Sequence, residues 1–107
     1  MSFAESFMRL SSKNALHIKN IIHRYFGEEA LVMLFGSRVD DLKRGGDIDI
    51  YIECSNLSAD ALVDAKIKTL VALNEALGEQ KIDLVINRNN GLSLPIYEIA
   101  KKEGVPL

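Results

Sequence analysis

Three aspartates and one Gly-Ser pair carry the chemistry this sequence could perform. Asp47 and Asp49 stand two apart in DIDIYIE, Asp83 stands in KIDLVI, and Gly36-Ser37 closes the apolar run LVMLF. Residues two apart on a strand point the same way, so Asp47 and Asp49 would present paired oxygen donors. Ionised carboxylates about 4 Å apart repel by on the order of 4 kcal/mol per pair at an effective dielectric near 20, so a cation is expected among them. Hard oxygen ligands favour Mg²⁺ or Mn²⁺, which complete their shells with water and substrate phosphates. Asp83 could help hold a second metal and take the proton of an attacking hydroxyl, as two-metal displacement at phosphorus requires. Gly36 allows close backbone approach, and the turn's N–H groups with the Ser37 hydroxyl can cradle phosphate oxygens. Arg38, Lys43 and Arg44 follow, and could neutralise a triphosphate; Asp40 and Asp41 among them fit a merely solvated charged loop as well. The pattern reads as a site for Mg²⁺ and a nucleoside triphosphate.

Such a site needs elements that bring distant residues together. Residues 12–26 carry Ala15, Ile18, Ile22, Tyr25 and Phe26 at helical spacing, with Ser11 or Ser12 as N-cap and Gly27 as the stop. Residues 31–35 form a continuous apolar run, as in a strand covered on both faces. Residues 47–53 alternate, placing Ile48, Ile50 and Ile52 on one face and Asp47, Asp49, Tyr51 and Glu53 on the other. Ser58 caps a helix whose apolar positions are Val63, Ile67, Leu70, Leu73 and Leu77, closed by Gly78. Residues 81–86 alternate again, with Ile82, Leu84 and Ile86 inward and Asp83 outward, and a last helix covers 95–102 before Gly104.

The resulting order is α-β-β-α-β-α. The ten residues 37–46 are too few for a parallel crossover, which takes about a dozen or more, so the first two strands should be antiparallel. The second and third, joined through a helix, can be parallel with a right-handed crossover. The expected fold class is α/β (α+β): a small mixed three-stranded sheet with helices packed on one face, in one domain over residues 1–107. In it the end of the first strand and the starts of the other two meet at one edge, bringing Gly36-Ser37, Asp47, Asp49 and Asp83 together.

Composition agrees with a compact domain and excludes several classes. With 107 residues, 48% hydrophobic and 26% charged, the chain is not of disordered composition, and its mean hydropathy is +0.06. Thirteen basic residues against fifteen acidic give a net charge of −2, without the basic excess that holds a protein on nucleic acid. A single cysteine, Cys54, cannot form an internal disulfide, which suits a reducing cytoplasm. The longest apolar run, residues 30–35, is far below the roughly 20 residues that span a bilayer, and residues 1–10 have no export pattern.

The stretch LFGSRVDDLKRGGDIDIYIE, Gly-Ser then nine residues then Asp-x-Asp, with KIDLVI downstream, resembles the DNA polymerase beta nucleotidyltransferase superfamily. Within it the chain is similar to the minimal nucleotidyltransferases, a small bacterial group commonly encoded beside HEPN-family toxins. The resemblance runs from Leu31 onward and includes the ending PIYEIAKKEGV. It implies a nucleotidyltransferase fold in which Gly36, Ser37 and Arg38 bind the nucleotide, Asp47, Asp49 and Asp83 hold Mg²⁺ or Mn²⁺, and Asp83 acts as base. It also implies transfer of AMP from ATP to a hydroxyl, with a tyrosine of a HEPN-type toxin as acceptor and the chain as antitoxin.

An alternative reading makes the chain a non-catalytic antitoxin that neutralises its partner by binding, since little sequence remains for an acceptor groove. Tyr51 shares the carboxylate face and either lines the site or packs beneath the last helix. His17 and His23, outside the apolar stripe of the first helix, are expected to face solvent. Cys54 and Met33 are expected to pack in the interior.

Overall fold

The computed structural model describes residues 12–35, 48–55, 57–78, 81–89 and 94–107. Its elements are α1 (Ser12–Phe26), β1 (Leu31–Phe35), β2 (Ile48–Glu53), α2 (Ala59–Leu77), β3 (Ile82–Asn87), α3 (Pro95–Glu103) and β4 (Val105–Pro106). The strands form one mixed sheet in the order β3-β2-β1-β4. β1 is antiparallel to β2 and to β4, and β2 is parallel to β3, as the connection lengths require.

Two expectations are corrected. The sheet has four strands among the described residues, not three. β4 pairs Val105 with Leu34 and Pro106 with Met33, and the Leu107 amide donates to the Val32 carbonyl at 3.0 Å. A two-residue edge strand containing proline has no alternation to betray it in sequence. The helices also cover both faces of the sheet rather than one. Val32, Leu34, Ile48, Ile50 and Ile52 join Ile18, Ile22 and Phe26 of α1 and Ala65 and Leu73 of α2 in the main core. On the other face Met33, Phe35 and Tyr51 pack with Tyr97 and Ala100 of α3. The Tyr51 and Tyr97 rings lie 5.9 Å apart at a tilted 52°, so Tyr51 packs beneath the last helix.

The long helix α2 turns part of its expected stripe inward, with Leu73 buried and Leu70 and Leu77 half-buried against the core, and the rest of it outward. Ser58 caps it, accepting from the Ala61 amide at 3.1 Å, and Gly78 ends it at φ 84°, a conformation that favours glycine. Its buried residues are Ala65, Thr69 and Leu73, while Val63 and Ile67 are 55% and 57% exposed. The small side chains Ala65 and Thr69 are buried on the face of α2 that carries Leu73, and α2 packs against α1.

Two turns tie the layers together. His23, half-buried rather than facing solvent, donates from Nε2 to the Ala30 carbonyl at 3.0 Å, and His17 is exposed. At Gly104 a Cβ would collide with the Ala100 carbonyl and crowd Met33, so only glycine lets the chain leave α3 and fold back as β4.

Candidate functional site

The sheet register builds the site. In the parallel ladder Asp49 stands beside Asp83, and in the antiparallel ladder the same Asp49 stands beside Phe35. Register partners share a face, and adjacent strands lie roughly 4.8 Å apart, so the two carboxylates leave the α3 face of the sheet side by side. Strand alternation fixes this, because Ile48 and Ile50 are fully buried on the opposite face and hold β2 in its register. Asp83 is exposed and Asp49 half-buried, so both can meet a ligand.

The cleft at this place has a volume of about 620 Å³. Phe35, Asp49, Asp83 and Val85 line it from the α3 face, with Ile96 of α3, and Ile82, Leu84, Leu70 and Lys66 line it from the side of α2. It therefore wraps the outer edge of β3. Lys66 is the one cation in this lining and makes no ion pair among the described residues.

Of the residues expected in the site, Asp49 and Asp83 are brought together. Gly36, Ser37, Arg38, Lys43, Arg44 and Asp47 lie outside the described residues. Their chain neighbours are placed: Gly36 is bonded to Phe35, and Asp47 to Ile48, the residue before Asp49. Among the described residues no group of three His, Cys, Asp or Glu side chains gathers as a metal site. The pair Asp49 and Asp83 offers hard oxygen donors in the number Mg²⁺ typically takes from protein, one or two carboxylates. Such a cation would relieve a repulsion on the order of 3–4 kcal/mol at this spacing.

Tyr51 does not reach the ligand side of the cleft. Its hydroxyl donates to Glu53 Oε2 at 3.0 Å and accepts from Asn87 Nδ2 at 3.1 Å, and Lys101 pairs with the same Glu53 oxygen at 3.3 Å. Burial pushes the Tyr51 phenol up to about 12; the bond from Asn87 opposes the rise, and the bond to Glu53 and its charge add to it. Burial also pushes the Cys54 thiol up, against the lowering by nearby Arg88, and the thiol is packed in the interior. Farther along, Asn89 donates to the Cys54 carbonyl at 2.7 Å and Arg88 to the Leu57 carbonyl at 2.9 Å, fixing the far end of β3.

Sequence reasoning missed Lys66. Its signal was available in principle: it stands four residues before Leu70 on a helix joined directly to the strand that carries Asp83. No protein-family model matches this sequence, and no curated protein matches it. No helix among the described residues is long and apolar enough to cross a membrane.

Proposed function

We propose that this protein is a minimal, metal-dependent nucleotidyltransferase that moves AMP from ATP to a hydroxyl, with a tyrosine of a HEPN-type toxin as acceptor, and so acts as an antitoxin in the cytoplasm. The observation that carries the reading is the adjacency of Asp49 and Asp83 beside Phe35, the residue that leads into Gly36-Ser37. Two carboxylates side by side, at the strand end that Gly36-Ser37 follow in sequence, suit phosphoryl chemistry. Mg²⁺ or Mn²⁺, when bound, would supply charge neutralisation at the phosphates.

The protein's own residues do the remaining work. Asp49 and Asp83, with Asp47, would hold the cation, and Gly36, Ser37 and Arg38 would bind the triphosphate. The acceptor oxygen forms its bond to the α-phosphorus as the bond from that phosphorus to the bridging oxygen of the β-phosphate breaks. Pyrophosphate leaves with the electron pair, and the hydroxyl proton passes to the Asp83 carboxylate and then to solvent.

Incubation with labelled ATP, Mg²⁺ and the protein encoded by the adjacent gene tests this. Wild type labels that protein, and Asp49→Asn/Asp83→Asn does not. Equal labelling by both would refute the proposal. Neutralisation of the partner's toxicity by the double variant would mark the protein as a binding antitoxin instead.

A further inference from the structure

Among the described residues no strand pairs with the outer edge of β3, beside the place where the site needs an acceptor. The Ile48 amide donates to the Lys81 carbonyl at 3.0 Å and the Cys54 amide to the Asn87 carbonyl at 2.9 Å. In a parallel ladder this alternation commits residues 81, 83, 85 and 87 to β2 and turns the backbone of Ile82, Leu84 and Ile86 outward. The Ile86 carbonyl is already capped by the Tyr97 hydroxyl at 3.2 Å. The backbone of Ile82 and Leu84 has no such cap among the described residues, and both residues line the cleft.

We infer that this edge is the acceptor subsite, and that it takes an extended peptide segment whose hydroxyl-bearing residue has an acidic neighbour. An extended chain bonding to Ile82 and Leu84 continues the sheet past β3. Its residue opposite Asp83 then projects from the same face as Asp83 and Asp49, which delivers that residue's hydroxyl to the base. The residues on either side of it project from the opposite face, toward α2. There the cleft is walled by Leu70 and by Lys66, whose charge no described side chain balances. An aspartate or glutamate directly before or after the hydroxyl residue meets that charge. The identity of the hydroxyl rests on the nucleotidyl-transfer reading; the open edge and Lys66 do not.

Two fluorescent octapeptides test the inference, one with a central tyrosine between two glutamates and one with the same tyrosine between two lysines. Anisotropy should show the acidic peptide binding wild type at least about tenfold more tightly, a difference of about 1.4 kcal/mol. Lys66→Glu should reverse that order. Hydrogen exchange should show the Ile82 and Leu84 amides gaining protection in the bound protein. An order of affinity unchanged by Lys66→Glu, or binding that leaves those amides unprotected, overturns the inference. Transfer that needs Asp83 while binding ignores Lys66 leaves the nucleotidyltransferase reading standing alone. Reversal of preference without any transfer of AMP to the tyrosine leaves the docking edge standing and removes that reading.

Discussion

Asp49 of β2 and Asp83 of β3 are direct partners in a parallel ladder, 34 positions apart in sequence and adjacent in space. The helix between them makes this happen: α2 carries the chain across the sheet so that β3 begins at the same edge as β2. Everything proposed for the protein depends on that register.

The first consequence concerns Asp83 alone. If it takes the acceptor's proton, Asp83→Asn should lower the rate of transfer by about 10²–10⁴, the usual contribution of a general base. The residue is exposed, so the melting temperature should stay close to that of wild type. Full activity of a folded Asp83→Asn protein would remove it from that role.

Asp49 and Asp83 were legible because the alternation in IDIYIE, and the isoleucine-leucine spacing in IDLVI, leave one arrangement that turns the isoleucines inward. The antiparallel and parallel pairings followed from connection length alone. What stayed hidden depends on the tertiary fold. β4 has two residues, one of them proline, too little for periodicity. The side on which α3 docks is set by Tyr97 and Ala100 meeting Met33, Phe35 and Tyr51, a contact between segments far apart in the chain. Lys66 looks like any solvated helix lysine until the edge of β3 is seen beside it.

The inward stripe of α2 gives a second test. Leu73 is fully buried, so Leu73→Ala should cost about 2–5 kcal/mol in denaturant unfolding. Ile67 is 57% exposed, and Ile67→Ala should cost less than about 0.5 kcal/mol. Comparable losses at both positions would mean that Ile67 faces the core as Leu73 does.

Thr69 Oγ is buried in the same helix without a hydrogen-bond partner among the described residues. Thr69→Val keeps the shape and removes the unsatisfied hydroxyl. Stability should rise by about 1–2 kcal/mol, read as a higher denaturant midpoint with an unchanged slope. A loss of stability would show that the hydroxyl has a partner.

Alkaline titration tests the network under α3. The unfolded Tyr51 phenol ionises near its ordinary value of 10.0, and the folded one only at about 12. Between these values the unfolded state has released a proton that the folded state retains, so stability present below pH 10 falls as pH rises toward 12. Tyr51→Phe should flatten that decline relative to wild type. At neutral pH it should cost about 1 kcal/mol, since the Asn87 amide and Glu53 lose their shared partner. An identical alkaline slope in both proteins would place the phenol in water.

The central claim is that Asp49 and Asp83 together bind a metal-nucleotide complex. Calorimetric titration with ATP, with and without Mg²⁺, measures this on wild type and on Asp49→Asn/Asp83→Asn, with circular dichroism to verify that both are folded. Mg²⁺-dependent binding by wild type, lost in the folded double variant, is the predicted result. Binding of equal strength in the two proteins, or none in wild type at millimolar Mg²⁺ and ATP, would contradict it.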